Sequence, residues 1–183
     1  MRILPEKTQC IVIDMQERLM PAMNDRAFCE ERALILIRGL RMLDIPLMIT
    51  QQYTKGLGRS IPAVYEAAGT DEYFEKNAFS CARDEKILAA LKSGSREGRD
   101  NILVCGTETH VCVLQTCIDL KNHGFQPVLV TDAIMSRKKA DKKTALQRAV
   151  QEGLLLTTAE AILFELMLDS RNPNFREISK LVK

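Results

Sequence analysis

Short apolar segments alternate with longer amphipathic ones along nearly the whole chain. The short segments have the length of buried strands, whereas apolar residues in the longer segments recur at helical spacing. The predicted strands are Gln9 to Ile13, Pro46 to Thr50, Asn101 to Cys105, Pro127 to Thr131 and Leu154 to Thr158. Strands that alternate with helices form βαβ units around a parallel sheet. We therefore expect an α/β fold, a three-layer α/β/α sandwich with a central, mainly parallel sheet of about six strands.

The predicted helices lie between these strands. They cover Phe28 to Leu43, Asp84 to Lys92, Thr109 to Asn122, Lys139 to Glu152 and Ala159 to Asp169. The segment from Gln51 to Ser80 differs, because it contains several glycines and lacks a sustained period. A short edge strand at Tyr73 to Glu75 is predicted inside it. Long loops in compact folds tend to be functional, so we expect this segment to shape a binding site.

Composition limits the classes of partner. The 183 residues are enough for one domain, residues 1–183, with a substantial core. The formal net charge of +2 gives no global field for nucleic acid or an anionic membrane surface. The chain has no segment typical of a signal peptide or a membrane span, and its six cysteines lack disulfide or metal spacing. We therefore expect a cytoplasmic protein with reduced thiols that acts on a small molecule.

Cys112 is the residue whose position most clearly suggests chemistry. The apolar run from Ile102 to Cys105 breaks at Gly106, and Cys112 follows where a new apolar period begins. Ligands of open α/β sheets bind beyond the carboxyl ends of the strands, and helix N-terminal amides there lower the pKa of a thiol. A reactive nucleophile is one interpretation of Cys112. A small core residue in the first helical turn is the other.

Two charged residues are candidates to activate this thiol. Asp14 ends the first predicted strand at the same sheet edge, where it would accept the thiol proton. A helix N-cap or a turn-forming aspartate is the alternative for Asp14. Lys76 follows the predicted edge strand between aromatic residues, where it would stabilise thiolate and carboxylate together. The alternative for Lys76 is an ordinary solvated lysine.

The other cysteines and both histidines are assigned to different roles. Five cysteines lack the combination of turn, helix start and sheet edge: Cys10, Cys29, Cys81, Cys105 and Cys117. His110 lies two residues before Cys112 and so points to another side of the helix start. His123 lies at a helix end, where a cation is favourable. We expect no metal site and, without a glycine-rich phosphate motif, no nucleotide cofactor.

Three ordered segments resemble the motifs of isochorismatase-like cysteine hydrolases. They are Ile13 to Gln16, Lys76 to Ser80 and Val104 to Val113, and the similarity extends over nearly the whole chain. The segment from Thr50 to Gly58 further resembles the isochorismatase domain-containing branch of that family. The resemblance implies the Rossmann-like fold of these hydrolases. It also implies self-association as a homo-oligomer, a dimer or larger.

The resemblance implies roles for particular residues. Asp14 would be the base, Lys76 the supporting cation and Cys112 the nucleophile. A cis peptide bond between Thr107 and Glu108 would turn the backbone amides of Glu108 and Cys112 toward a common point. Two amides in that arrangement would form an oxyanion hole.

Residues near the implied triad are additional candidates for substrate contact. They are Gln16, Gln52, Tyr53, Phe79 and Thr109. The chain departs from the metal-dependent nicotinamidases of this superfamily, because Gln51-Gln52-Tyr53 stands where those enzymes carry an Asp-x-His metal motif. It also departs from isochorismatase proper, which acts on a vinyl ether without a catalytic cysteine.

The implied chemistry is hydrolysis of a small amide or related acyl compound. Cys112 would attack a carbonyl, Asp14 would relay the thiol proton to the leaving group, and water would hydrolyse the resulting thioester. The alternative is a catalytically silent or redox-responsive oligomeric interaction protein on the same fold. A redox role would need a resolving cysteine near Cys112, and the nearest in sequence are Cys105 and Cys117.

Overall fold

The computed structural model describes residues 1–183 and contains one sheet of six strands. The strands are β1 (Thr8–Ile13), β2 (Leu47–Gln52), β3 (Phe74–Lys76), β4 (Asn101–Thr107), β5 (Gln126–Met135) and β6 (Leu155–Thr157). Their order across the sheet is β3-β2-β1-β4-β5-β6. All neighbouring strands are parallel. The expected parallel sheet is therefore confirmed.

Eight helices connect or follow the strands. They are α1 (Arg26–Met42), α2 (Thr54–Leu57), α3 (Pro62–Ala68), α4 (Glu85–Arg96), α5 (Leu114–Asn122), α6 (Lys139–Gln151), α7 (Ala159–Met167) and α8 (Phe175–Leu181). A single π-helical turn, Thr109–Val113, leads directly into α5. No helix has both the length and the apolar character that crossing a lipid bilayer requires.

Both faces of the sheet are buried, because successive side chains of a strand point to opposite sides. In β1, Cys10 and Val12 pack in one apolar cluster, whereas Ile11 and Ile13 pack in the other. The first cluster joins the sheet to α1, α3, α7 and α8. The second joins it to α4, α5 and α6. Helices on both faces give the expected three-layer sandwich and explain why the strands are continuous apolar runs.

The segment from Gln51 to Ser80 holds more regular structure than its sequence predicts. It contains α2, α3 and β3. Helix α3 begins at Pro62 and ends before Gly69, whose φ of 67° is left-handed. Its seven residues make only about two turns, too few for a clear sequence period. The edge strand is Phe74–Lys76, so it includes Lys76, which the prediction places one residue beyond the strand. The C-terminal helix α8 is also not among the helices predicted from the sequence.

The chain changes direction across the sheet between β1 and β4. It runs from β1 outward to β2 and β3, then returns to β4 and continues to β5 and β6. A reversal of this kind opens a crevice beyond the carboxyl ends of the two central strands, where α/β proteins bind ligands. β1 ends at Ile13 and β4 at Thr107, so the residues that follow them lie at this crevice.

Candidate active site

Asp14 follows the last residue of β1, and its side chain is completely buried. Its φ of 50° is left-handed, a conformation that aspartate adopts more readily than most residues. The Asp14 amide donates to the Thr50 carbonyl at 3.2 Å. The Thr107 hydroxyl donates to the Asp14 carbonyl at 2.7 Å. The two strands that flank β1 therefore fix this turn and the carboxylate it carries.

Lys76 forms a buried ion pair with Asp14. Its Nζ lies 2.7 Å from Asp14 Oδ2, and neither side chain has exposed surface. The other carboxylate oxygen, Oδ1, accepts a hydrogen bond of 2.9 Å from the Thr50 hydroxyl. This burial rules out the alternative in which Lys76 is an ordinary solvated lysine.

Three acceptors surround the ammonium of Lys76. Asp14 Oδ2 and Gln52 Oε1 each lie 2.7 Å from Nζ, and the Ala78 carbonyl lies at 3.3 Å. A lysine ammonium carries three N–H donors, so all of them are engaged. No N–H is left to bond a thiolate, and Lys76 acts on the crevice through its charge.

Burial and charge act in opposite directions on this pair. Burial raises the pKa of Asp14, while the charge and hydrogen bond of Lys76 partly oppose the increase. Burial alone would lower the pKa of Lys76, but Asp14 and the thiols of Cys81 and Cys112 outweigh it, so the pKa is raised. Lys76 is therefore cationic at neutral pH. The raised pKa of Asp14 moves this carboxylate toward the range in which a general base is effective.

Cys112 lies in the π-helical turn Thr109–Val113 and is nearly buried. Burial, reinforced by the negative charge of Asp14, raises the pKa of the thiol to about 12, although Lys76 opposes this increase. Burial and Asp14 favour the neutral thiol, whereas Lys76 favours the thiolate. Stabilisation of a Cys112 thiolate by helix amides and Lys76 stays a prediction.

The residues between β4 and Cys112 include one unusual peptide. The bond between Thr107 and Glu108 is cis. The Glu108 amide donates to no backbone carbonyl. The Glu108 carboxylate is held by Arg137, whose Nε lies 3.0 Å from Glu108 Oε2. An unused backbone donor just before Cys112 in the chain is compatible with an oxyanion hole. The assignment of that role to the amides of Glu108 and Cys112 stays a prediction.

The two glutamines expected to contact substrate bond to the protein itself. Gln16 Nε2 donates to the carbonyls of Gln52 and Gly58 at 3.0 and 2.7 Å, and Gln16 Oε1 accepts from the Gln52 amide at 2.8 Å. Gln52 Nε2 donates to the Asn77 carbonyl at 2.7 Å, while its Oε1 accepts from Lys76. Gln16 thus has no free donor for a substrate, and Gln52 contacts Lys76. Contact of Gln16 and Gln52 with substrate stays a prediction.

The other three candidates for substrate contact differ in exposure. Tyr53 and Phe79 are 51% and 56% exposed, so their aromatic surface is available. Thr109 is completely buried, and its hydroxyl has no hydrogen-bond partner. The Ser80 hydroxyl is also buried without a partner. Contact of Tyr53, Phe79 and Thr109 with substrate remains a prediction.

Thr50 and Cys81 belong to the site, although the sequence assigns neither of them a role there. Thr50 Oγ1, which bonds Asp14, lies 3.8 Å from Cys81 Sγ. Burial, with the charge of Asp14, raises the pKa of Cys81 to about 12. Cys81 shares an apolar cluster with Cys112, whereas Cys105 packs on the opposite face of the sheet. Thr50 is a polar residue at the end of a predicted strand, which is a sequence signal for a site residue. Cys81 follows an irregular segment, and its sequence position gives no such signal.

His110 contacts residues other than the triad. Its Nδ1 lies 3.0 Å from Ser136 Oγ, and its Nε2 lies 3.8 Å from Asp141 Oδ2. His110 therefore does not pair with Cys112, as the spacing of the two residues predicts. No three His, Cys, Asp or Glu side chains converge in an arrangement suited to a metal ion.

Comparison with known proteins identifies relatives over the full length. The profile of the isochorismatase domain matches residues 8–161. Isochorismatase domain-containing protein 2 of Bos taurus is 36% identical over 184 residues, covering 100% of this chain and 86% of that protein. The structure of MAR1 ribonuclease from Caenorhabditis elegans matches with a TM-score of 0.90 and 34% identity, over 100% of this chain and 92% of that one. The YcaC gene product of Escherichia coli, an octameric hydrolase of unknown specificity, shares the fold with a TM-score of 0.87 and 21% identity, over 98% and 95% of the two chains.

Proposed function

The chain belongs to the isochorismatase family, and on that premise we propose that it is a cysteine-dependent hydrolase of small amides or related acyl compounds. The observation that carries this proposal is the convergence of Cys112, Asp14 and Lys76. The negative charge of the buried Asp14 carboxylate acts on the Cys112 thiol, and a buried ammonium holds that carboxylate. A nucleophile beside a base, with the base oriented by a third group, is the arrangement that covalent catalysis requires.

The first half-reaction acylates Cys112. The sulfur forms a bond to the substrate carbonyl carbon while the thiol proton passes to Asp14. The pKa of Cys112 is raised to about 12, so little thiolate forms before the substrate binds. The sulfur therefore attacks at the same time as its proton passes to Asp14. The amides of Glu108 and Cys112 receive the oxyanion. When the C–N bond breaks, Asp14 returns the proton to the leaving amine, and a thioester remains.

The second half-reaction hydrolyses this thioester. Asp14 accepts a proton from water as the water oxygen bonds to the carbonyl carbon. The C–S bond then breaks, the sulfur regains a proton from Asp14, and the carboxylic acid leaves. Lys76 keeps its own proton throughout, because its pKa is raised. Its positive charge stabilises the carboxylate form of Asp14, which exists before each proton is accepted and after each proton is returned, and the cycle calls for no cofactor.

Burial at the site favours a small substrate. The side chains of Lys76 and Asp14 have no exposed surface, and Cys112 is only 6% exposed. A polymer backbone would not reach this thiol without a large rearrangement. Hydrolysis of RNA is nevertheless a second candidate function, because the relative named MAR1 ribonuclease is 34% identical to this chain over its whole length.

A panel of small primary amides, assayed for ammonia release by wild type and Cys112→Ala, tests the proposal. We expect wild type to hydrolyse at least one amide and Cys112→Ala to lose roughly a thousandfold or more in rate. Acid quenching followed by mass spectrometry should find the acyl group on the Cys112 peptide. Full turnover by Cys112→Ala would refute the nucleophile. Cleavage of an RNA oligonucleotide, with no amide hydrolysed, would favour the second candidate.

We also propose that the chain forms homo-oligomers. β6 is an edge strand on which Leu155 and Leu156 are 36% and 39% exposed, and Val150 at the end of α6 is 59% exposed. Exposed apolar edges with unpaired backbone groups favour pairing with another chain. A second copy of this chain would cover these side chains and continue the sheet.

A further inference from the structure

We propose that Gln52 is a positioning residue for the reaction, because its side chain holds the ammonium of Lys76 against Asp14. This inference rests on the proposed function and deepens it. Substrate contact by Gln52, the role expected from the sequence, is the alternative.

Both ends of the Gln52 side-chain amide bond to the segment that carries Lys76. Gln52 Oε1 lies 2.7 Å from Lys76 Nζ, and Gln52 Nε2 lies 2.7 Å from the Asn77 carbonyl. The two bonds also fix the orientation of the amide. A rotated amide would point its NH₂ group at the ammonium and its oxygen at a carbonyl, so both contacts would become repulsive.

The backbone of Gln52 is held independently of this side chain. Its amide and carbonyl form a pair of hydrogen bonds with Gln16, whose side chain is buried and also bonds Gly58. Gln52 is the register partner of Lys76 in the parallel pair of β2 and β3. Partners in register place their side chains on the same face of a sheet. The sheet therefore sets the distance between amide and ammonium.

The ammonium has no spare acceptor to replace Gln52. Its three donors go to Asp14, Gln52 and the more distant Ala78 carbonyl. Without Gln52, one N–H of a buried cation is left unpaired, which carries a desolvation penalty. The titratable groups that face Lys76 are Asp14, Cys81 and Cys112. The Lys76 ammonium would then turn away from Asp14 or lose its proton more readily. In either case the base, Asp14, would lack its positive partner.

Three variants of Gln52 separate positioning from other roles. Gln52→Met keeps the length of the side chain but removes the acceptor, and Gln52→Asn keeps an amide that is too short to reach Lys76. Gln52→Glu retains an acceptor and adds a negative charge. The matched control is Gln9→Met, because Gln9 is 5% exposed and its Nε2 donates to the carbonyls of Leu91 and Arg99 at 3.0 and 2.8 Å. Gln9 lies near the start of β1, at the far end of that strand from Asp14.

The first measurement follows the Lys76 ammonium itself by NMR of protein labelled with ¹⁵N-lysine. A buried ammonium with three hydrogen bonds exchanges its hydrogens slowly enough to be observed. We expect Gln52→Met, or Gln52→Asn if the first does not fold, to speed this exchange by about fivefold or more. Gln9→Met and Gln52→Glu should retain the slow signal. An unchanged exchange rate in Gln52→Met and Gln52→Asn would overturn the inference whether or not an amide is hydrolysed.

The second measurement uses a primary amide that wild type hydrolyses. We expect Gln52→Met to lower kcat by about tenfold or more while KM stays within about twofold. In the pH profile of kcat/KM, Gln52→Glu should shift the acid limb to higher pH by about one unit, because a second negative charge raises the pKa of Asp14. A raised KM with unchanged kcat would overturn the inference in favour of substrate contact. If Cys112→Ala is also fully active, the proposed function fails, and the NMR result alone decides the role of Gln52.

Discussion

Lys76 Nζ and Asp14 Oδ2 lie 2.7 Å apart, and neither side chain has exposed surface. The pair joins edge strand β3 to the turn that ends central strand β1. Removing two charges from water costs free energy that their attraction offsets only when both partners are present. The pair that serves the proposed chemistry therefore also determines whether this edge of the sheet can pack.

Breaking the pair should destabilise the protein strongly. We expect Lys76→Met to lower the free energy of unfolding by about 3 to 5 kcal/mol, since it leaves the Asp14 carboxylate buried without a cation. The double variant Asp14→Asn/Lys76→Met should recover a large part of this loss. Urea unfolding at neutral pH measures both. The control is Lys139→Met, which removes an exposed pair with Asp25 and should change little. Equal losses for Lys76→Met and Lys139→Met would contradict the prediction.

Alkaline pH should weaken the same pair. The pKa of Lys76 in the folded state is raised from its ordinary 10.5, so its contribution to stability is complete below that pH and is lost as pH rises through the folded pKa. The unfolding free energy of wild type should fall above about pH 10.5 more steeply than that of Lys76→Met. Urea midpoints across this range test the sign, and parallel curves for the two proteins would refute it.

Alkylation of Cys112 should follow the ionisation of a weakly acidic thiol. Burial and Asp14 raise its pKa to about 12. The rate with N-ethylmaleimide, followed by mass spectrometry of the Cys112 peptide, should rise about tenfold per pH unit from neutral pH up to about pH 10. A plateau below about pH 8 would instead indicate a thiolate already paired with Lys76.

Gly106 should not tolerate alanine. A Cβ there would lie 2.0 Å from the Ile13 carbonyl oxygen, at a φ of 113°. Gly124 also has a positive φ, 89°, but a Cβ there would meet nothing within 4 Å. We expect Gly106→Ala to lose at least about 2 kcal/mol more unfolding free energy than Gly124→Ala, because the two central strands must move apart. Thermal unfolding of both variants measures this difference, and equal losses would show that only φ matters.

Charge on the exposed edge should change the assembly. We expect Leu156→Lys to shift the protein toward monomer, since a lysine on an edge strand opposes pairing with another chain. Light scattering after size-exclusion chromatography measures the mass. Phe28→Lys is the control, because Phe28 is 54% exposed on α1 and lies outside β6. A mass unchanged by Leu156→Lys, or a monomeric wild type, would count against association through β6.

The sheet and the placement of Asp14 and Cys112 are predictable from the sequence, because both follow the ends of apolar strands. Parallel strands bring their carboxyl ends to one edge, whatever the details of packing. Lys76 is harder to place, since β3 has only three residues and no period of its own. Family resemblance, and not spacing, carries its assignment to the triad.

The raised pKa of Cys112 illustrates what sequence patterns miss. A helix N-terminus favours a negative charge by roughly 0.3 to 1 kcal/mol, less than one pKa unit. Full burial can shift a pKa by about 3 to 5 units in the opposite direction. Burial of Cys112 and its proximity to Asp14 depend on how the chain folds around the crevice. The contacts of Thr50 depend in the same way on the turn that carries Asp14 and on the segment that carries Cys81. The contact of Gln52 with Lys76 depends on pairing with β3, which is too short to show a sequence period.

The short length of β3 has a consequence for how such a site can be switched off. The nucleophile and the base sit at the ends of the two central strands, whereas the cation sits on a three-residue strand with a neighbour on one side only. Edge segments with few contacts fray before the interior melts. Fraying of β3 would withdraw the cation and leave the rest of the molecule folded. Loss of activity on heating would then precede global unfolding, as a local and reversible event.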